Sequence, residues 1–285
     1  MPIDYAKARA LRTAGRCYSY DEKTSALYAL GIGLASDPLD RRELRFVYGK
    51  DMVTMPTMAT VVAWGCDALA ETGIDFAKVV QGEQRLTIHR PLPSAAEIVA
   101  GWQVDEIVDK GPGRGALIVH SFDLRLAETG EPLATLGRTT FARGDGGFGG
   151  PAVAGPEPHP IPERPCDREL EIPVQADQAL IYMLSGDTNP LHVDPEVAEA
   201  AGFPVPILHG LCTYGIACRA VLSAYTGLDP TPLRQFDVRF SSPVYPGDTI
   251  RFRMWRDGAV VSFEADISSR DVVVLRNGKA VLDAP

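Results

Sequence analysis

Apolar and polar residues alternate through Ile250-Arg251-Phe252-Arg253-Met254-Trp255, the period-two signature of a strand with one buried face. Comparable runs predict strands near Arg234–Ser241, Thr249–Asp257, Ala259–Ser268 and Asp271–Leu282. In the first half of the chain they predict strands near Arg85–Ile88, Glu97–Asp109, Gly115–Ala127 and Leu133–Ala142. A different pattern precedes each set. From Pro56 to Glu71 and from Gly210 to Tyr225 the apolar residues run too long for one strand, so each stretch predicts an apolar helix. A helix followed by several strands fits an antiparallel sheet wrapped around that helix, an α+β arrangement.

The halves are weak repeats of each other. Leu27-Tyr28-Ala29-Leu30-Gly31-Ile32-Gly33 parallels Ile181-Tyr182-Met183-Leu184-Ser185-Gly186-Asp187, and Gln84-Arg85-Leu86-Thr87 parallels Gln235-Phe236-Asp237-Val238. In that alignment Gly33 takes the place of Asp187 and no His follows at the same spacing. Between the repeats, Gly144 to Pro165 is too rich in Gly and Pro for a helix or a central strand. The expected organisation is a first repeat over 1–150, a linker over 151–165 and a second repeat over 166–285. The run Gly146-Gly147-Phe148-Gly149-Gly150 has no strand-to-helix context and is followed by Pro151, so it reads as linker and not as a nucleotide loop.

Composition narrows the classes. A net charge of −9 over 285 residues argues against a nucleic-acid partner, which needs a dense basic surface. It leaves room for a phosphorylated small molecule held by a few local cations. No apolar run reaches the roughly 18–20 residues that span a bilayer. Residues 1–16 lack the apolar core of a secretory signal, and Asp283-Ala284-Pro285 is not a peroxisomal address. The five cysteines are scattered without a Cys-x-x-Cys pair, which suits reduced thiols in the cytoplasm. The five histidines show no His-Glu-x-x-His spacing, so no metal is expected.

The candidate chemistry lies in Leu184-Ser185-Gly186-Asp187-Thr188-Asn189-Pro190-Leu191-His192. Gly and Pro force a sharp turn there, which lets Asp187 and His192 face one point, as acid–base work on a small molecule requires. The same residues also suit an Asx-turn acid and a surface His. Downstream, Pro206-Ile207-Leu208-His209-Gly210 opens the second apolar helix. The N–H of Gly210 would lie at the helix N-terminus, where it can hold an oxyanion. His209 is either a second acid–base group or a packing residue beside that terminus. No Gly-x-Ser-x-Gly elbow supports Ser185 or Cys212 as a nucleophile.

These blocks resemble the hydratase 2 motif of the MaoC-like (R)-specific enoyl-CoA hydratases. The matching pieces are Tyr182–Asp187, Asn189–His192, Leu208–Gly210, Arg239–Asp248 and Gly146–Gly150, so the likeness runs over nearly the whole chain. It implies a double hotdog fold. It also implies that Asp187 and His192 orient one water for addition across the C2=C3 bond of a trans-2-enoyl thioester, giving the (R)-3-hydroxyacyl thioester. Asn189 would position that pair, and Gly210 would face the thioester oxygen. The resemblance places Gln81, Gly82, Lys110, Thr188, Pro190, Leu191, His209 and Phe240 along the acyl-CoA. Relatives often carry His where this chain has Gln81. Lys110 either meets a CoA phosphate or is a solvated turn lysine. Further implications are a homodimer, no cofactor beyond the CoA of the substrate, and room for long or bulky acyl groups where the first repeat has lost its acid–base pair. The alternatives are a specialised MaoC-like dehydratase acting on another thioester, a hotdog thioesterase, and a non-catalytic acyl-CoA-binding protein.

Overall fold

The structure, a computed structural model, describes residues 3–75, 78–150 and 157–283. Among the described residues ten strands form one sheet: β1 (Arg12–Tyr20), β2 (Val79–Ile88), β3 (Ala96–Asp109), β4 (Ala116–Leu126), β5 (Pro132–Ala142), β6 (Arg168–Pro173), β7 (Leu233–Phe240), β8 (Thr249–Asp257), β9 (Val260–Ile267) and β10 (Val272–Leu282). Their order is β1-β3-β4-β5-β2-β7-β10-β9-β8-β6, so two five-stranded halves with the same internal order meet edge to edge. β2 and β7 form the antiparallel seam, in register from Glu83 opposite Arg239 to Thr87 opposite Gln235. Joining there removes two edges that would otherwise invite pairing with other chains. The eight strands read from alternation are all present. β1 and β6 were not anticipated: both are edge strands, mostly solvent-exposed, with no buried stripe to impose a period.

The second apolar stretch is the expected helix, Gly210–Thr226. It is buried from Leu211 to Ala217 and packs against β6, β7 and β8. Tyr214 Oη donates to Phe236 O at 2.7 Å, tying helix to seam. Gly227 closes the helix in the left-handed conformation (φ 63°).

The first apolar stretch corrects the sequence reading. Residues 56–71 do not form one α-helix. They form two short 3₁₀ turns, Pro56–Thr60 and Leu69–Thr72, joined by turns. The β-branched run Thr60-Val61-Val62 is a weak helix former, and Gly65, at φ 77°, cannot continue a right-handed helix. Every residue of Pro56–Thr60 is nonetheless buried, against β5 and the long helix. Burial keeps the sequence apolar here without dictating helix.

The helix Glu22–Gly31 packs against the short helix Gln178–Tyr182, so the segments that the repeat aligns, Leu27–Gly33 and Ile181–Asp187, also touch. Contact is close: a Cβ on Gly31 would lie 3.2 Å from Tyr182 Cα. At Gly33, where the repeat lacks an acid, the space is taken by Arg219. Its guanidinium donates to Gly33 O at 2.6 Å and pairs with Glu43 at 2.7 Å. Both side chains are mostly buried, and stranding one ion of such a pair typically costs about 3–5 kcal/mol.

The glycine-rich run folds onto the β3–β4 hairpin. Asp109 accepts from the N–H groups of Gly111, Gly147 and Gly149 at 2.7–2.8 Å. Those bonds, Gly147's foremost, hold its carboxyl below the usual range. The anion cradled by this backbone is therefore the chain's own. Of the expected linker, 151–156 lie outside the described residues; beyond them His159 bonds Ser262 at 2.8 Å and accepts from Asn277 at its carbonyl.

Candidate active site

The loop after Gln178–Tyr182 turns on Gly186, whose φ of 126° is open to glycine and strained for other residues. Trp64 lies against it, 3.3 Å from where a Cβ would sit. The next residues brace one another. Asp187 Oδ1 accepts from Asn189 N at 3.2 Å, and Asn189 Oδ1 accepts from Leu191 N at 3.1 Å, capping the 3₁₀ turn Pro190–His192. This turn delivers the His192 ring inward, 9% exposed, while Thr188, Asn189 and Pro190 stay on the outside.

His192 Nδ1 lies 2.9 Å from the carbonyl oxygen of Ile207. A carbonyl only accepts, so Nδ1 carries the proton and the neutral ring presents a bare Nε2 to the site. His209, 1% exposed, is fixed the same way: Nε2 donates to the backbone oxygen of Asp187 at 3.0 Å. The two rings stack with centroids 3.9 Å apart, and Tyr182 packs on His209 at 5.0 Å. Donor atoms from Asp187, His192 and His209 lie within 4.8 Å of one another. That set could in principle also hold a metal, a grouping the sequence spacing did not announce.

Electrostatics favour neutral imidazoles. Burial pushes His192 below its ordinary value, against the opposing pull of the Ile207 carbonyl and Asp187. Burial, then the His192 ring, lowers His209 to about 4. With His192 acting as a base, kcat/KM is expected to stay level from pH 7.5 to 6.5. It then falls as pH drops through the lowered His192 value and the ring becomes charged. A pH–rate profile with its acid limb centred above 6.5 would contradict that assignment.

Gly210 opens the long helix, so its N–H has no intrahelical acceptor. A Cβ there would lie 3.6 Å from Gln81 Oε1 and 3.6 Å from the Phe240 ring, so these three residues face one small space beside His209. Gln81 in turn donates to Gln84 Oε1 at 3.1 Å. Gly82, next along β2, is half-buried with Thr139 O 3.2 Å from a hypothetical Cβ. Lys110 is not drawn into this cluster. It is exposed at the β3–β4 hairpin, 5.8 Å from the ring of Phe141, whose cross-strand partner is Val80. Three neighbours were not among the expected site residues: Trp64 behind Gly186, Tyr182 with its hydroxyl buried and unbonded, and Gln84 behind Gln81.

Comparison with known proteins follows the same lines. Residues 18–144 match the family described as MFE-2 hydratase 2 N-terminal domain, and residues 158–276 match the MaoC like domain. The chain is 36% identical to the enoyl-CoA hydratase ChsH3 of Mycobacterium tuberculosis, over 100% of each chain. It is 36% identical to the mouse peroxisomal multifunctional enzyme type 2, over 91% of this chain and 36% of that longer protein. Among solved structures, the MaoC-like dehydratase of Phytophthora capsici superposes with a TM-score of 0.86 at 31% identity, covering 99% of this chain and 98% of the other.

Proposed function

The chain belongs to the MaoC-like hydratase 2 family, and on that premise we propose that it hydrates trans-2-enoyl-CoA to (R)-3-hydroxyacyl-CoA, reversibly, as a hydro-lyase of β-oxidation. The observation that carries the reading is the convergence of Asp187 and His192, with an unprotonated Nε2, beside His209, whose next residue Gly210 offers a free helix N–H to the adjoining space before Gln81 and Phe240. A water held between the Asp187 carboxylate and His192 Nε2 gives up a proton as its oxygen bonds to C3. The C2=C3 electrons move toward the thioester oxygen, where the Gly210 N–H stabilises the enolate. The proton then passes to C2. Both parts of one water are added, and the pair ends in its starting state. Delivery from one side makes the addition syn.

The remaining assignments follow the resemblance. Asn189 acts as a positioning residue through the turn it caps. Gln81, Gly82, Leu191 and Phe240 line the acyl thioester; Thr188 and Pro190 contact the CoA arm from outside, with Lys110 at the rim for a phosphate. The reaction needs no cofactor beyond the CoA of the substrate. The scattered free cysteines suit a reducing compartment, and the expected location is the cytoplasm. It is expected to be a homodimer, so light scattering should give about twice the 30.8 kDa chain mass; a stable monomer would contradict this.

The half-sheet of the first repeat is covered by 3₁₀ turns and not by a second long helix, which supports a roomier acyl site. A C4 substrate, crotonyl-CoA, should therefore have a lower kcat/KM than a longer or bulkier enoyl-CoA. Equal or better use of crotonyl-CoA would overturn that expectation. The function itself is tested by following enoyl-thioester absorbance with purified protein and identifying the product.

A further inference from the structure

One inward row of the first half-sheet is polar where a core row is normally apolar. Strand register sets Val104, His120, Arg138, Gln84 and Val238 side by side across β3, β4, β5, β2 and β7. One step away on the same face lie Phe122, Leu136 and Leu86, all buried. His120 and Gln84 are fully buried and well bonded. Trp102 Nε1 donates to His120 Nδ1 at 2.7 Å, so His120 Nε2 carries the proton toward Thr140 Oγ1 at 3.0 Å. Gln84 donates to Arg85 O and Gly137 O, and its Oε1 accepts from both Gln81 and Arg138.

Arg138 is the exception. It makes one hydrogen bond, Nε to Gln84 Oε1 at 3.2 Å, and lies 5.1 Å over the Phe122 ring. Among the described residues no carboxylate comes within ion-pair distance of it, and its two terminal amino groups have no acceptor. Arginine offers five donors in a fixed fork, so most of its capacity is unused. The side chain keeps some accessible surface although its cross-strand neighbours on both sides are sealed. That surface therefore faces a space on the inner side of the sheet. Burial lowers its guanidinium below the ordinary value, and the fields of Asp67, Tyr182 and Asp187 oppose that shift. Arg138 thus shares an interior with the catalytic pair, and Gln84 and Gln81 link it to the space in front of Gly210.

A half-buried guanidinium whose two amino groups lack an acceptor is well placed to be completed by an anion. The CoA phosphates are strongly hydrated and belong at the rim, and the pantetheine arm is neutral. What reaches the inner face of the sheet is the acyl group. We propose that Arg138 recognises a carboxylate carried on the acyl chain beyond C3, so that the preferred substrates are ω-carboxyl trans-2-enoyl-CoA thioesters held by its two free amino groups. This rests on the hydratase reading of the same site.

The test pairs each carboxylated thioester with its plain counterpart of equal chain length. Calorimetry with wild-type protein compares the saturated glutaryl-, adipoyl- and suberoyl-CoA with pentanoyl-, hexanoyl- and octanoyl-CoA. Kinetics compare trans-2-hexenedioyl-CoA with trans-2-hexenoyl-CoA in wild type, Arg138→Gln and Arg138→Lys. The expected result is at least about tenfold tighter binding for one or more carboxylated members, and a similar kcat/KM preference. That preference collapses to about one in Arg138→Gln and is only partly kept in Arg138→Lys, which has charge without the fork. Because each ratio is taken within one protein, loss of folded fraction does not affect it, and wild-type binding decides the matter alone if the variants fail to fold. The proposal is overturned if no carboxylated thioester binds better than its partner, or if Arg138→Gln keeps the preference. Hydration without preference removes only this proposal; preference in binding without hydration removes the hydratase reading and leaves Arg138 as an anion site.

Discussion

Asp187→Asn should lower kcat for trans-2-enoyl-CoA hydration by on the order of 10²–10⁴-fold, the usual contribution of a positioned acid–base group. The change is close to isosteric, and the local structure has reason to survive it. The Asp187 side chain makes one structural bond, from Asn189 N to Oδ1, and a carboxamide oxygen can accept it equally well. The bond from His209 goes to the backbone oxygen and does not depend on the side chain. Thermal unfolding should therefore move little, since both hydrogen bonds at Asp187 can be kept. What is lost is the carboxylate that, together with His192, holds the water and shares in moving its proton to C2. A variant that keeps more than a tenth of wild-type kcat would mean that His192 carries the proton transfers without Asp187. A variant that loses both activity and fold would show that Asp187 is chiefly structural.

Gly210→Ala separates catalysis from stability in the opposite way. The new methyl would meet Gln81 and Phe240 at 3.6 Å, ordinary contact distances, and Gly210 does not have a left-handed backbone. Alanine is also the better helix former by about 1 kcal/mol in a helix interior, so stability should hold or rise slightly at this first helical position. The protein's own packing thus gives no reason for glycine. The substrate does: the methyl would occupy the space in front of the N–H, where the thioester oxygen must approach. The expected loss is about 10²-fold in kcat/KM, comparable to deleting an oxyanion donor. Kinetics alongside a melting curve check both halves of the statement. Near-normal activity would place the oxyanion elsewhere.

How much of this was visible in the sequence depended on which force shaped each segment. β8 reads directly from Ile250 to Trp255 because Ile250, Phe252 and Met254 are buried on one face while Arg251 and Arg253 stand half-buried on the other. The Gly210–Thr226 helix is legible because it is apolar and uninterrupted up to the Gly227 stop. The stretch from Pro56 was misread as helix because an apolar run is also what a buried irregular segment needs; Gly65 and the Thr60-Val61-Val62 run were the contrary signals. β1 and β6 were silent because edge strands need no alternation. In the site, the short-range turn from Gly186 to His192 was readable because Gly, Asn and Pro each restrict the backbone. The stacking of His209 on His192, and its bond to the Asp187 backbone, join residues far apart in sequence, which periodicity does not encode. Arg138 did leave a signal: a cation at an inward position of β5, two residues from buried Leu136.

The central claim is addition of water at the Asp187–His192 pair, and one measurement meets it most directly. Purified protein, wild type and Asp187→Asn, is incubated with a trans-2-enoyl-CoA while enoyl-thioester absorbance, free thiol and product stereochemistry are recorded. The account predicts loss of absorbance in the wild type alone, a product that is the (R)-3-hydroxyacyl-CoA, and no thiol release. Release of free CoA, an (S) product, or equal turnover by Asp187→Asn would contradict it.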